Sequence, residues 1–243
     1  MAERLQKVLA RAGLASRREA DRWVEQGRIT VNGQTATPGT RIAPGDRVAL
    51  DGQPLELGAS SPAIRVLAYY KPEGVVATRQ DPQGRPIVFD HLPHLSEGRW
   101  IQVGRLDLNS SGLLLFTNDG DLANALMHPS RGVEREYRAR VRGRPDAATL
   151  DRLRQGIDLA DGPARFDSVE VLPGKGKNAQ LRVILGEGRK REVRRLLEAV
   201  GHPVSRLLRV RYGAVRLPQD LKPGQWRELS ANEVAELQRA VGI

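Results

Sequence analysis

Residues 104–120 read GRLDLNSSGLLLFTNDG, a charged, turn-prone half that runs directly into the apolar stretch Leu113 to Phe116. Its first half admits different chemistries. Asp107-x-Asn109-x-Ser111-Gly112 looks like the start of a calcium loop, the same short polar side chains suit a capped turn, and an Asp at the end of a rigid element can act as base or nucleophile. Calcium fails on spacing, because the twelfth position, which must supply a bidentate carboxylate, is Asn118. The would-be loop interior is also too apolar to wrap an ion in oxygens. His91 and His94 flank Pro93, His128 and His202 each precede a proline, and cysteine is absent, so no metal site is expected. Gly174-Lys175-Gly176-Lys177 and Gly186-Glu187-Gly188 lack the spacing of a phosphate-binding loop and read as hairpin turns. No G-x-S-x-G elbow is present. The expectation is chemistry without a cofactor, with Asp107 either a turn residue or the reactive group.

The elements that must hold Asp107 follow from pattern. Val66 to Tyr70 reads as a strand that ends in the turn Lys71-Pro72-Glu73-Gly74, and Trp100 to Val103 as another. Leu113 to Phe116 is a buried strand behind the Asp107 turn. Arg135 to Val141 and Ala179 to Leu185 are strands, whereas Asp119 to Met127, Ala147 to Gln155 and Glu192 to Val200 carry helical spacing. On the last helix Val193, Leu196, Leu197 and Val200 form one apolar stripe; Arg194 sits on its flank, and Arg191 and Arg195 point further to solvent. Mixed spacing of this kind argues for an α+β fold with a mixed, mainly antiparallel sheet flanked by helices.

Residues 1–57 form a separate small unit. Leu5, Val8, Leu9 and Ala12 follow helical spacing up to Gly13, and Ser16-Arg17-Arg18-Glu19 is a capping-box signature that opens a second helix closed by Gly27. Ile29 to Val31 then runs into Asn32-Gly33, a hairpin turn. Residues 58–64 are small and turn-prone, a linker, and 65–243 form the larger domain.

The run ASRREADRWVEQGRITVNGQ, residues 15–34, resembles the S4 RNA-binding module, and the resemblance covers nearly all of residues 1–57. It implies a basic face for structured RNA that includes Arg4, Lys7, Arg11, Ser16, Arg17, Arg18, Arg28 and Asn32. Behind it, GRLD with NSSGLLLFTNDG, KPEG at 71–74, VEREYRARV, and EGRKREVRRLLEAVGHPVSRLLRVRYG at 187–213 resemble the motifs of RNA pseudouridine synthases. An S4 module joined to that domain is similar to the branch that modifies bacterial ribosomal RNA; DPQGRPIVFDHLP and LMHPSRGVEREY look most like its large-subunit members. The long basic tail of some members is missing. The resemblance implies that Asp107 is the essential acid, Tyr137 the active-site aromatic and Arg194 the basic partner, with Arg105, Leu106 and Lys71 against substrate. Lys190, Arg191, Arg195, Arg206, Arg209 and Arg211 add basic surface for phosphates.

The chemistry agrees with these residues. Moving uracil from an N1 to a C5 attachment oxidises and hydrolyses nothing, so no cofactor is needed. The carboxylate can attack ribose C1′ or remove the C2′ proton. Either role requires an ionised acid in a dry site, which calls for a fixed cation beside it. The formal net charge of +10 across 243 residues favours a polyanionic partner. The N-terminus lacks the apolar stretch of a signal peptide, and no apolar run is long enough to span a membrane, so a cytoplasmic, monomeric enzyme is expected. A non-catalytic S4 protein of ribosome assembly is the alternative; it has no use for Asp107, Tyr137 and Arg194 together.

Overall fold

The computed structural model describes residues 2–57, 63–96 and 98–243. Residues 58–62 of the expected linker lie outside the described residues. The chain divides into two compact units, one of Met1–Ile64 with His94–Trp100 and Asn118–Gly120, the other of Arg65–Pro93, Ile101–Thr117 and Asp121–Ile243.

In the first unit the helix Leu5–Arg11 buries Leu5, Val8 and Leu9. The helix Arg17–Glu25 opens on a complete capping box: Glu19 N donates to Ser16 Oγ at 3.1 Å, and Ser16 N donates to Glu19 Oε2 at 3.3 Å. A four-stranded antiparallel sheet follows in the order Gln34–Thr35, Ile29–Val31, Val48–Leu50, Gln53–Pro54. Asn32 and Gly33 both have positive φ, 52° and 82°, the conformation of the tightest hairpin turn. Ala20, Val24, Ile29 and Val48 close the core against the first helix.

The second unit is built on a nine-stranded sheet. Its main path runs Ser168–Val171, Gln180–Leu185, Arg135–Val141, Val204–Tyr212, Ser110–Thr117, Val66–Lys71, Trp226–Glu228. Every neighbouring pair on that path is antiparallel except Val204–Tyr212 with Ser110–Thr117, which is parallel. The sheet is therefore mixed and mainly antiparallel, as the sequence pattern predicts. Ile101–Val103 adds to the far end of Ser110–Thr117, so that strand is hydrogen-bonded on both sides and every residue in it is buried. Its continuous apolar run reflects burial of both faces. The strand Val204–Tyr212, the longest in the sheet, is not legible in the sequence, because three arginines interrupt its apolar residues without a regular period. Helices Ala147–Gln155 and Glu192–Ala199 pack against this sheet and the neighbouring hairpin.

Gly112 fixes the parallel seam. It lies opposite Arg209 with φ 109°, and a Cβ there would sit 2.6 Å from the Arg209 backbone nitrogen. Only glycine allows the two strands to approach this closely.

Candidate active site

Asp107 stands on the short connection between Ile101–Val103 and Ser110–Thr117. Gly104 turns the chain with φ 70°, and Ser110 N donates to Asp107 O at 3.0 Å to close the loop. Gly74 N, from the Lys71–Gly74 turn, donates to Leu108 O at 2.9 Å and props the same loop. The carboxylate opens into a cleft of about 440 Å³ whose walls include Arg105, Leu106, Tyr137, Arg209 and Tyr212. Leu106 is buried beneath it, and Arg105 is exposed at the rim.

Two buried cations hold the Asp107 loop, and both do so through its backbone. Lys71 is the last residue of its strand and fully buried; its Nζ donates to Pro72 O and Ser110 O, each at 2.8 Å. Expected in a turn and against substrate, Lys71 instead ends a strand and turns its ammonium inward onto the loop backbone. Burial pushes its ammonium down to about 8, partly opposed by the negative charges of Asp107 and Glu73. Arg194, 8% exposed, donates from Nη1 to Val204 O at 2.9 Å and from Nη2 to Asn109 O at 2.7 Å. Burial lowers its pKa, Arg191 lowers it further, and the charge of Asp107 raises it. Arg194 therefore grips the Asp107 loop through the backbone and makes no direct ion pair with the Asp107 carboxylate among the described residues.

Tyr137 faces the cleft from the strand Arg135–Val141 and is 8% exposed. Its cross-strand partners are Val183 and Arg209. Beside it lies a cluster that the sequence does not announce. The guanidinium groups of Arg135 and Arg209 both lie over the Tyr212 ring, 4.9 and 5.1 Å from its centroid. Arg135 Nη2 donates to Tyr212 Oη at 3.0 Å, Tyr212 Oη donates to Leu126 O at 2.9 Å, and Arg209 Nε donates to Leu113 O at 2.7 Å. Only the alternation of cross-strand partners could have revealed this cluster, and that needs the strand Val204–Tyr212 to be recognised first.

The opposite wall is the loop before the helix Glu192–Ala199. Lys190 and Arg191 are exposed on it, and Arg191 has φ 52°. Glu192 is 3% exposed and pushed up to about 7, first by burial and then by hydrogen bonding to Glu187.

Several expected RNA contacts are committed inside the protein. The Arg195 fork binds the Asp161 carboxylate at 2.6 and 2.9 Å, Arg209 is buried, and Arg211 bridges Glu134 and Glu136 at 2.8 and 3.1 Å. In the first unit Ser16 caps its helix, and the Asn32 side chain donates to Asp46 at 3.0 Å and accepts from Arg47 N at 2.9 Å. Both are architectural. Arg28 pairs with Asp51 through Nε at 3.0 Å, and Arg11 and Lys7 pair with Glu3 at 2.7 and 3.6 Å. Arg4, Arg17 and Arg18 stay exposed, as does Arg206 in the second unit.

A carboxylate on a clamped turn shares a cationic cleft with a buried tyrosine, and the comparisons place that cleft in an RNA-modifying isomerase. The model of the RNA pseudouridylate synthase family matches residues 65–199, more than half the chain, and the S4 domain model matches residues 3–48. The chain belongs to the RNA pseudouridylate synthase family. Proteins named Ribosomal large subunit pseudouridine synthase B are similar over its whole length: 54% identity to that of Salmonella typhimurium, covering 100% of this chain and 84% of the relative. The one from Pasteurella multocida is 53% identical over 99% of this chain and 71% of its own. A solved pseudouridylate synthase shares the fold with a TM-score of 0.67, covering 96% of this chain and 99% of that one at 24% identity. No helix among the described residues is long and apolar enough to cross a membrane.

Proposed function

We propose that this enzyme isomerises a uridine of large-subunit ribosomal RNA to pseudouridine, with Asp107 as the reacting carboxylate. The observation that carries the reading is the juxtaposition in one cleft of Asp107, on a loop clamped by Lys71 and Arg194, with the Tyr137 ring. The target base leaves its stack to enter, at a cost of a few kcal/mol that phosphate contacts offset. Tyr137 stacks on uracil. The bond from C1′ to N1 breaks, with the ribose held as an ester of Asp107 or, after loss of the C2′ proton, as a glycal. The base turns and C1′ bonds to C5 as the bond to Asp107 breaks or, from the glycal, as Asp107 returns the proton to C2′; the C5 proton then leaves and N1 gains one, so product and substrate have the same formula. Lys71 and Arg194 act by holding the loop rigid and by balancing the charge of Asp107 where water is scarce. The large-subunit target rests on the names of the full-length relatives, and the exposed Arg4, Arg17 and Arg18 of the S4 unit supply a face for the RNA stem-loop.

The test is Asp107→Asn, which retains shape and removes charge. Turnover should fall by at least about 10³-fold, ~4 kcal/mol of barrier, with RNA binding retained. Near-normal tritium release from [5-³H]uridine-labelled rRNA by this variant would sink the assignment.

A further inference from the structure

The Gly174-Lys175-Gly176-Lys177 turn takes no part in the reaction above, yet the fold gives it basic neighbours. It lies at the end of the strand Gln180–Leu185 opposite Leu185, which lines the cleft. Gly143 N donates to Asn178 Oδ1 at 3.1 Å, Ala179 N to Gly143 O at 2.8 Å, and Arg144 Nη2 to Gly174 O at 2.5 Å, so the loop after Arg135–Val141 is tied to this turn. Arg142 N donates to Pro203 O at 3.0 Å and Ser205 Oγ to Arg140 O at 3.0 Å, which brings in the start of Val204–Tyr212. Arg140, Arg142, Arg144, Lys175, Lys177 and Arg206 therefore share one end of the sheet, and all are exposed.

Acids do not balance this cluster. Among the described residues its one ion pair is Arg206 with Glu73 at 3.9 Å, where the Arg206 side chain is 76% exposed. Asp146, the adjacent acid in sequence, accepts from Thr149 N at 2.8 Å and caps the helix Ala147–Gln155. Arg140 and Arg206 are direct cross-strand partners, an arrangement of like charges that destabilises a sheet on its own. A polyanion that lies across these residues would relieve the repulsion. Strand rise puts Arg142 roughly 17 Å from Tyr137, too far for the nucleotide in the cleft to reach.

We propose that this end of the sheet is a second RNA-docking surface, which grips phosphates of ribosomal RNA outside the stem-loop whose uridine enters the cleft. The inference rests on the RNA substrate proposed above and extends it to a separate part of the same molecule. Its contacts are with backbone phosphate, so it adds affinity and salt dependence without sequence preference.

The experiment compares the full-length protein with Lys175→Glu/Lys177→Glu and, separately, with Arg140→Glu/Arg142→Glu. Binding to the isolated stem-loop and to a long large-subunit rRNA fragment is measured over a salt series. Both variants should bind the long RNA at least about tenfold more weakly, with a salt slope flatter by about 1.5 for two phosphates lost, and should bind the stem-loop like the parent. Lys175 and Lys177 lie on an exposed turn, so that variant does not depend on the strand tolerating a change. Parent-like binding and slope on the long RNA overturn the docking surface, as does an equal loss on both RNAs. A parent that shows this binding pattern but forms no pseudouridine overturns the reaction and leaves the docking surface standing.

Discussion

Lys71→Met separates what the buried ammonium does for catalysis from what it does for the fold. Met is also unbranched and fills the space of the lysine stem, but it carries no charge and donates nothing. The change deprives the Pro72 and Ser110 carbonyls of a charged donor, a loss of about 1.5–3 kcal/mol each. Against that, the folded state presses the ammonium from 10.5 down to about 8, so at pH 7 it carries a burial cost of about 3 kcal/mol that Met does not. The two effects offset in large part, and the variant should be no more than about 3 kcal/mol less stable than the parent. The pH dependence is sharper. Below pH 8 the folded and unfolded chains both hold the proton and the cost is complete. Between about 8 and 10.5 the unfolded chain still holds a proton that the folded chain has released, so the parent's stability rises with pH. The variant lacks this rise. Urea unfolding of both proteins at pH 7 and pH 9.5 isolates it as the difference between them. Turnover at pH 7 should fall by about 10- to 100-fold, because the loop carrying Asp107 loses one of its two cationic clamps. A variant more than about 4 kcal/mol less stable at pH 7, or a parent that gains no more than the variant at pH 9.5, would refute the balance drawn here.

Two further outcomes follow from the same region. Gly112→Ala should destabilise the protein by at least about 3 kcal/mol, since the added methyl meets the Arg209 backbone and φ is 109°; urea unfolding checks this, and a loss below about 1 kcal/mol would mean that the seam yields. Glu192 takes up its proton more readily folded than unfolded, at about 7 rather than 4.5, so the parent's stability should decline as pH rises through that window. Glu192→Gln should flatten the decline in melts between pH 4.5 and 7, and an unchanged slope would place the titrating group elsewhere.

What the sequence showed and what it hid divide along physical lines. Local rules are readable: the Ser16–Glu19 capping box, the Asn32-Gly33 turn and the apolar run Leu113 to Phe116 each reflect one short-range requirement, and each stands as expected. Arginines mislead for the same reason. Arg206 is exposed, Arg209 is buried and Arg211 is held by two glutamates, although they stand within six residues of one strand in identical chemistry. Their fates depend on which strands lie alongside, and a guanidinium with a long apolar stem can serve any of these environments. Ser16 and Asn32 fit the RNA-binding pattern by type, but their oxygens are already taken by backbone donors, a fact that only three-dimensional neighbours reveal.

The electrostatics of the site rest on more than the single cation beside Asp107 that the sequence leads one to expect. The fold instead clamps the loop with Lys71 and Arg194 and lines the cleft with Arg135 and Arg209, each buried and each spending donors on backbone carbonyls. A cation bonded directly to the carboxylate would stabilise the resting anion and dull it as a nucleophile or base. At a distance the charges still attract, and Asp107 raises the pKa of both Lys71 and Arg194 against the effect of burial. That distance leaves the oxygens of Asp107 open to the ribose. Hydrogen-bonding these groups to the backbone also fixes their positions before the RNA arrives, so little reorganisation remains when charge moves onto the detached base.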